Sequence, residues 1–335
     1  MGSHIAVAPG SINIDLILKT DVLRGPKTFR GDYTESQGGK GSNQAVAARL
    51  ASDHRREVYL LGCVGRDAWG AQALDKLRAA GVNTELVRVT EACRTGVVME
   101  YLYGDGEVTI GLGLGANGEV TVADVEGAGE VIGSAVVHLC QIESPIAAVE
   151  RALSLARAGG AATVLDPSVV PAPGPDRDRL FERLLPLVDV LAPNRSEAQA
   201  LTGVAVDGDA SAREAAAALL RHAPVALITR GRDGALVARG SQCEMVRGLR
   251  VDALDGGAAG DTFRGAFCAA LAEALQRRGG RLADLAFSEL VAAAELANAA
   301  AALCVTRPGA YPSIPGREEI EVFRRTAVPR PGPGR

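Results

Sequence analysis

Residues 135–165 read AVVHLCQIESPIAAVERALSLARAGGAATVL, and the pattern within them points to one architecture. Two short apolar runs, Ala135–Leu139 and Ala161–Leu165, flank Pro145–Ala158, an alanine- and leucine-rich segment with the periodicity of an amphipathic helix. The runs are apolar throughout rather than alternating, which is typical of parallel strands that are buried on both faces. This stretch therefore predicts a strand–helix–strand unit.

The same alternation of strands and helices extends along most of the chain. It predicts a three-layer α/β/α sandwich with a mostly parallel sheet, and ligands are expected at the carboxyl ends of its strands. The further predicted strands are Ile5–Ala8, Val58–Gly62, Val188–Leu191, Val225–Thr229 and Gly234–Ala238. The further predicted helices are Gly41–Ala51, Arg177–Leu187, Arg195–Thr202, Ala212–His222, Asp261–Arg277 and Phe287–Val305.

Four segments in the first third alternate polar and apolar residues, as antiparallel strands with one solvated face do. Gly104-Asp105-Gly106 provides a hairpin turn between the last two. We expect a small antiparallel β lid, from about residues 13–37 and 95–114, on a single domain spanning residues 1–327. Residues 328–335 are rich in proline and glycine and predict a frayed tail. The four segments are Asp15–Leu18, Thr28–Ser36, Gly96–Tyr103 and Glu107–Leu112.

Composition excludes several classes of function. The chain has 335 residues, a net charge of −4 and 4% aromatic residues, which argues against a nucleic-acid or anionic-membrane surface. Its 6 cysteines form no CxxC pair and its 4 histidines form no metal-binding motif, so we expect reduced thiols and a cytoplasmic protein. The apolar helix Phe287–Val305 carries Glu295 and Asn298, and we expect it in the core rather than in a membrane.

The first motif with chemical meaning is Gly38–Ala45, which reads GGKGSNQA. Its spacing is not that of a Walker A loop, but paired glycines let the backbone approach a ligand closely. Lys40 and Asn43 are three residues apart, on one face of the first turn of the predicted helix. A cation and an amide at a helix N-terminus suit hydroxyls and a nearby phosphate. A flexible surface turn is the alternative interpretation.

A second motif follows the first predicted strand, where Asn13 and Asp15 are two residues apart. In an extended chain both side chains point to the same side. An amide beside a carboxylate suits two neighbouring sugar hydroxyls, whereas an Asx turn is the alternative.

The third motif is Leu254–Ala266, which reads LDGGAAGDTFRGA. A run of small residues opens a long helix, and successive backbone N–H groups there can hold an anion. A carboxylate beside that anion, Asp261, can accept the proton of a hydroxyl that attacks a γ-phosphate. The alternative is that Asp261 is a plain N-cap, but the small residues exceed what a cap needs.

Together and in this order, the motifs resemble those of the ribokinase family of sugar kinases, the phosphofructokinase-B type. The resemblance extends from Ile5 to about Phe323, with the N-terminal signature at Gly38–Ala48 and the C-terminal signature at Asp255–Ala266. It implies a ribokinase-like fold. Smaller landmarks also fit the family, namely Gly62–Asp67, Gly115–Asn117, Gln141–Pro145, Ala192–Ala198 and Val305–Ala310.

The resemblance implies a role for each matching residue. Asp261 would be the catalytic base, and the amides of Ala258, Ala259 and Gly260 would form the anion hole. Asn194 and Glu197 would organise phosphates and Mg²⁺. The residues that would hold the sugar hydroxyls are Asn13, Asp15, Gly39, Lys40, Asn43 and Glu143. Those that would line the ATP site are Thr229, Gly231, Gly234, Gly260 and Asn298.

The family also implies a monovalent cation, usually K⁺, that orders the anion-hole loop. The chain departs from the family at two places. Gly256-Gly257 stands where the family usually has threonine and a larger residue, so we expect a floppier loop with weaker or altered K⁺ dependence. Asp166-Pro167 replaces the common Asn-Pro, which bears on the choice of substrate. The cation ligands would map to Asp255, Gly257, Cys304, Arg307, Gly309 and Ser313.

The implied reaction is ATP-dependent phosphorylation of D-ribose at its 5-hydroxyl. Kinases of the same fold for 2-deoxyribose, fructose or a nucleoside are close alternatives, and a sugar-binding pseudokinase is a remote one. Asn13 favours ribose, since an amide there can read a hydroxyl that deoxyribose lacks. Because exposed strand edges are usually covered, we expect a homodimer formed through the lid.

Overall fold

A computed structural model describes residues 2–25, 28–105 and 107–330 of the chain. Its strands are β1 (Ile5–Val7), β2 (Asn13–Lys19), β3 (Asp32–Gly38), β4 (Val58–Leu60), β5 (Gly62–Gly65), β6 (Val87–Thr90), β7 (Gly96–Leu102), β8 (Val108–Gly113), β9 (Val137–Gln141), β10 (Ala162–Asp166), β11 (Val190–Leu191), β12 (Val225–Thr229), β13 (Gly234–Arg239) and β14 (Gln242–Arg247). Its α-helices are α1 (Lys40–Ala51), α2 (Ala68–Ala79), α3 (Val122–Gly127), α4 (Gly129–Ser134), α5 (Ile146–Gly159), α6 (Pro175–Arg179), α7 (Arg195–Thr202), α8 (Asp209–Leu219), α9 (Ala259–Arg278), α10 (Phe287–Cys304) and α11 (Arg317–Thr326).

The central sheet has eight strands in the order β14-β13-β12-β11-β10-β9-β1-β4. The strands from β4 to β12 pair in parallel, and β13 alone runs in the opposite direction, so it pairs antiparallel with both β12 and β14. This arrangement confirms the predicted mostly parallel sheet. The carboxyl ends of β9 and β10 are in register, which places Gln141 beside Asp166 at one edge of the sheet.

Helices cover both faces of this sheet, as predicted for a three-layer sandwich. Alternate residues of each strand point to opposite layers, because successive side chains alternate across a strand. In β12, Val225 and Leu227 pack in one core cluster with α1, α9 and α10. Ala226 and Ile228 pack in the other cluster with α5, α7 and α8. Burial on both faces explains why the strands are apolar throughout.

The lid is a separate four-stranded sheet with the order β3-β2-β7-β8. The pairs β2–β3 and β7–β8 are antiparallel, whereas the central pair β2–β7 is parallel. β3 begins four residues later than the predicted segment Thr28–Ser36 and extends to Gly38, so it leads directly into α1. Gly106 of the predicted hairpin turn lies outside the described residues.

Three other predictions are corrected by the structure in type, in length or in extent. The predicted helix Arg177–Leu187 is a short α6 followed by a π-helical turn and a 3₁₀ turn, since Pro186 cannot continue a regular helix. The expected strand Val188–Leu191 is reduced to Val190–Leu191. The expectation of a frayed tail is wrong for residues 328–330, which hydrogen-bond to residues 248–250. Residues 331–335 lie outside the described part of the chain.

Helix α10 is the one helix, within the described residues, that is long and apolar enough to span a membrane. More than half of it is buried, and its apolar side chains lie in the core cluster with those of α9. The packing is therefore that of a core helix.

Candidate active site

The Gly-Gly-Lys-Gly turn joins the lid to α1 and needs glycine for two different reasons. Gly39 has φ +92°, a conformation that other residues rarely adopt. At Gly38 and Gly41 the constraint is space. A Cβ on Gly38 would overlap the Asp15 carboxylate, and one on Gly41 would overlap the backbone of Gly10. The turn therefore brings the start of α1 against the end of β1, and the flexible-turn interpretation is wrong.

Asn13 and Asp15 lie on β2 and both line one cavity, as their spacing predicted. Asn13 Oδ1 accepts a hydrogen bond of 2.7 Å from Asn117 Nδ2, which fixes the orientation of its amide. Asp15 Oδ1 is buried without a hydrogen-bond partner among the described residues. Burial and the nearby carboxylates, that of Glu100 foremost, together raise the pKa of Asp15 to about 7.

Lys40 and Glu143 face each other across the same cavity. Lys40 Nζ lies 3.8 Å from Glu143 Oε1, and Ser11 Oγ donates a 2.6 Å hydrogen bond to Glu143 Oε2. The carboxylate of Asp261 raises the pKa of Lys40 above its usual value despite burial, so the ammonium is charged.

Asp261 lies in the first turn of α9, but it is not the N-cap. The N-cap is Ala258, and no side chain caps the helix. The Asp261 carboxylate instead accepts hydrogen bonds from Asn43 Nδ2 at 2.9 Å and from Gln44 Nε2 at 3.0 Å. A carboxylate has about four lone-pair sites, so it keeps capacity for a substrate hydroxyl. Burial raises its pKa, which makes it a stronger proton acceptor than an exposed aspartate.

A buried arginine organises the acids behind Asp261. Arg264 is 4% exposed and its Nη2 lies 3.2 Å from both Asp166 Oδ1 and Glu197 Oε2. Its Nε donates to the backbone oxygen of Ala192 at 2.9 Å. Gln44 Nε2, which also bonds to Asp261, donates to Asp166 Oδ2 at 2.7 Å. Asp166 therefore has a charged partner and an amide partner, and these account for its presence in place of asparagine.

The loop before α9 presents backbone N–H groups to solvent. Ala258 has φ +56°, the one positive φ of a non-glycine residue in the described ranges. Such strain costs about 1–3 kcal/mol and is concentrated at functional sites. Because no side chain caps α9, the amides of Ala258 and Gly260 are available to an anion, and that of Ala259 makes only a long hydrogen bond of 3.5 Å to Gly256 O.

Two cavities lie on either side of this loop. One, of 280 Å³, is roofed by the lid, and the other, of 330 Å³, lies between the loop, β12 and α10. The first brings together the predicted residues Asn13, Asp15, Gly39, Lys40, Asn43, Glu143, Asp255, Gly257, Ala258, Asp261 and Gly309. The second brings together Thr229, Gly231, Gly234, Ala259, Gly260 and Asn298. A wider cleft of 1020 Å³ between β14 and α10 shares Asn298 but does not reach Asp261.

Five of the predicted residues line neither cavity, namely Asn194, Glu197, Cys304, Arg307 and Ser313. Asn194 and Glu197 form the capping box of α7, in which Glu197 N donates to Asn194 Oδ1 at 2.9 Å and Asn194 N donates to Glu197 Oε2 at 2.7 Å. Burial raises the pKa of Glu197, while Arg264 opposes the shift. No cluster of three or more metal-binding side chains occurs in the part of the chain that the structure describes. A role for this pair near phosphates stays a prediction.

The oxygens proposed for the monovalent cation lie around the anion-hole loop. Asp255 Oδ1 accepts from Gly257 N at 2.8 Å and Oδ2 accepts from Gly309 N at 2.9 Å, so the carboxylate joins the two loops. The Cys304 thiol donates toward Gly257 O at 3.6 Å and lies 3.0 Å from Ser313 Oγ. Carboxylate, carbonyl and hydroxyl oxygens are the donors that K⁺ prefers, so this donor set fits the cation. Arg307 could contribute only its carbonyl, because its guanidinium is a cation without acceptor atoms and is paired with Glu319.

Sequence reasoning did not single out several residues of the site. Gln44 follows Asn43 in the first motif, and Arg264 follows Asp261 by one helical turn, so their spacing could have indicated them. Gln141 donates to Gln44 Oε1 at 2.5 Å and Asn117 orients Asn13. Glu100 lines the lid-covered cavity from β7.

The model of the pfkB family of carbohydrate kinases matches residues 5–317. A ribokinase of Haemophilus influenzae is 34% identical over 318 residues, which cover 94% of this chain and 96% of that protein. The structure of ribokinase from Giardia lamblia has a TM-score of 0.86 at 25% identity and covers 97% of this chain and 99% of that chain. The structure of Arabidopsis thaliana ribokinase complexed with ribose and ATP has a TM-score of 0.78 at 25% identity, with 96% and 98% covered. The chain belongs to the pfkB family of carbohydrate kinases.

Proposed function

We propose that this kinase transfers the γ-phosphoryl group of ATP to the 5-hydroxyl of D-ribose, giving ribose 5-phosphate and ADP. One observation carries the proposal: Asp261 stands between a hydroxyl-binding cavity and an uncapped helix N-terminus. The Arabidopsis ribokinase of the same fold holds ribose and ATP. The 280 Å³ cavity lies just below the range of about 300–1,000 Å³ usual for ligand pockets, which suits a small sugar.

In this proposal the lid-covered cavity holds the sugar. Asn13 and Asp15 take neighbouring hydroxyls, while Lys40, Asn43 and Glu143 fix the remaining ones. The unpartnered oxygens Asp15 Oδ1 and Asn43 Oδ1 support this assignment, since buried polar atoms normally have a hydrogen-bond partner. Ile17, Val98 and Ile110 from the lid exclude water from the sugar.

Asp261 acts as the base. Its carboxylate takes the proton of the attacking hydroxyl while the amides of Ala258, Ala259 and Gly260 receive the charge of the transferred phosphoryl group. One such backbone donor is typically worth about 3 kcal/mol in the transition state. ATP occupies the 330 Å³ cavity with its phosphates toward Gly260, and Asn298 lies near the adenine. Mg²⁺ held mainly by the phosphate oxygens, as is usual for this ion, would neutralise their charge.

An ADP-release assay over ribose, 2-deoxyribose, fructose and adenosine tests the proposal. We expect the highest kcat/KM with ribose. Asn13 and Asp15 are placed to hydrogen-bond to neighbouring hydroxyls, and 2-deoxyribose lacks one hydroxyl that ribose has. A higher kcat/KM with another compound would identify that compound, rather than ribose, as the preferred substrate. Sugar binding without any sugar-dependent ADP release would instead indicate a pseudokinase.

Sugar binding is expected to weaken as the pH falls from 8 to 6. The pKa of Asp15 is about 7 before the sugar binds, and protonation removes an acceptor for sugar hydroxyls. The ionised fraction falls from about 90% to about 10%, so the apparent Kd rises up to about tenfold. Calorimetric titration with ribose at both pH values measures this change. The Asp15→Asn variant should bind weakly but lose most of the pH dependence; an unchanged pH dependence would assign it to another carboxylate.

We also propose that a monovalent cation orders the anion-hole loop and that Gly256 weakens this dependence. A Cβ at Gly256 would meet nothing within 4 Å, so threonine fits there and stiffens the loop. We expect kcat of the Gly256→Thr variant to respond to K⁺ more steeply than kcat of the wild type. Activity is titrated with KCl at constant ionic strength, with tetramethylammonium as the control cation. Superimposable K⁺ curves for the two proteins would contradict the idea.

The protein is proposed to be a homodimer that forms through the lid. β8 is an edge strand of the lid sheet and exposes Val108, Ile110 and Leu112, which are 46%, 63% and 45% exposed. Unpaired edges and apolar patches of this kind are usually covered. We expect light scattering to give twice the chain mass for the wild type and the monomer mass for Val108→Lys. Val328→Lys, at a 56% exposed valine away from the lid, is the control. A monomeric wild type at assay concentration would refute the proposal.

A cytoplasmic location is proposed from the cysteines. All six are free thiols, and Cys63, Cys140, Cys268 and Cys304 are buried. Reduced thiols are usual in the cytoplasm.

A further inference from the structure

Glu100 is a carboxylate on the inner face of the lid, where its neighbours are apolar. In register it lies between Ile17 of β2 and Ile110 of β8. The adjoining row of the same face contains Asp15, Val98 and Leu112. All six side chains line the 280 Å³ cavity, so the strand alternation and the cavity agree on where Glu100 points.

Nothing in the described part of the chain pairs with the Glu100 carboxylate. It makes no ion pair with the arginines or lysines there, and Lys40, which lines the same cavity, pairs instead with Glu143. Its charged neighbours are themselves acidic: Glu100 raises the pKa of Asp15, and burial and then Asp255 raise the pKa of Glu100. A half-buried carboxylate among apolar groups and like charges destabilises the folded lid unless a ligand supplies a hydrogen-bond donor.

The geometry places this carboxylate within reach of a bound sugar. Glu100 is one strand row beyond Asp15. With a rise of about 3.3 Å per residue and about 4.8 Å between strands, their Cα atoms are about 8 Å apart. That spacing is comparable with a furanose ring and its substituents. On the opposite wall, Asn43 is only 6% exposed, and its Oδ1 is buried without a hydrogen-bond partner among the described residues. The cavity therefore has unsatisfied acceptors on both of its walls.

We propose that Glu100 is a specificity-determining residue whose carboxylate accepts a hydrogen bond from a ring hydroxyl on the lid-facing side of the sugar. The inference rests on the proposed sugar phosphorylation and deepens it. The site selects a hydroxyl-rich furanose and rejects the analogue that lacks this one hydroxyl, because the carboxylate is then left without a donor.

The test pairs substitutions with deoxy sugars. Wild type, Glu100→Gln and Glu100→Leu are assayed with ribose, 2-deoxyribose, 3-deoxyribose and 1,4-anhydroribitol. Hydrogen bonds to charged groups are strong, so we expect Glu100→Leu to raise the KM for ribose about tenfold to hundredfold. The KM for ATP should not change. For one of the three analogues, the one that lacks the recognised hydroxyl, the kcat/KM of Glu100→Leu should equal or exceed that of the wild type, because the variant has no carboxylate left without a donor.

Two controls separate recognition from structure. Glu35→Gln removes a carboxylate on the other face of the lid, opposite Leu16 in register, and should leave all KM values unchanged. The Tm of Glu100→Leu should equal or exceed that of the wild type, whereas a structural role for Glu100 predicts a lower Tm. The inference is overturned if Glu100→Leu leaves the ribose KM unchanged or changes all four substrates by the same factor. A wild-type protein that phosphorylates none of them contradicts the proposed function itself.

Discussion

We expect the Asp261→Asn variant to bind ribose with nearly wild-type affinity and to lose kcat by a factor of about 10²–10⁴, the usual contribution of general base catalysis. The amide cannot take the proton of the attacking hydroxyl. It can still accept one of the two hydrogen bonds that Asn43 and Gln44 donate to Asp261, so the site should stay assembled. ADP release under saturating ribose and ATP measures kcat, and calorimetry measures binding.

Asp252→Asn is the matched control, because Asp252 is an exposed carboxylate on the same loop. It should have wild-type kcat. Near-normal turnover of Asp261→Asn would sink the proposed mechanism. If Asp261→Asn loses ribose binding as well as turnover, the carboxylate holds the sugar rather than activates it. Turnover of the Asp261→Glu variant then shows whether a displaced carboxylate can still act.

Replacing Arg264 by methionine is expected to lower the free energy of unfolding by about 3–5 kcal/mol, the usual cost of breaking a buried ion pair from one side. Asp166 is fully buried and Glu197 is 8% exposed, so neither can regain water when the guanidinium is lost. Methionine replaces the aliphatic part of the arginine side chain, so lost packing contributes less than the lost charge. Urea denaturation followed by circular dichroism gives the difference directly.

Arg278→Met is the control on the same helix, since Arg278 forms an exposed ion pair with Glu289 and should cost at most about 1 kcal/mol. The double variant Asp166→Asn/Arg264→Met should recover part of the stability, because one of the two stranded charges is gone. Equal losses for Arg264→Met and Arg278→Met would contradict the role of Arg264. We also expect kcat to fall, since Gln44 joins Asp166 to Asp261.

Local sequence patterns were enough for most of the sheet and for the elements that carry the site. Continuous apolar runs identified β9, β10 and β12 because a strand buried on both faces has no polar side. The helix expected at Asp261–Arg277 begins two residues earlier, at Ala259, because the positive φ of Ala258 starts the helix without a capping side chain. Short or irregular elements, such as α6 and β11, were predicted poorly since few residues carry their pattern.

By itself, the sequence determined which residues share a face and which backbone turns are possible. The spacing of Asn13 and Asp15, the glycines around Lys40 and the small residues before Asp261 follow from strand and helix periodicity and from backbone sterics. These are local properties, and one stretch of chain is sufficient to express them.

Only the tertiary structure decided which faces meet. Arg264, Asp166 and Gln44 are far apart in the chain, and no local pattern joins them until α1, β10 and α9 pack together. Likewise, strand alternation puts Glu100 on one face of β7, but only the docking of the lid makes that face the wall of the sugar cavity. A buried charged side chain destabilises the fold unless it is paired, and both its burial and its pairing depend on which elements pack against it.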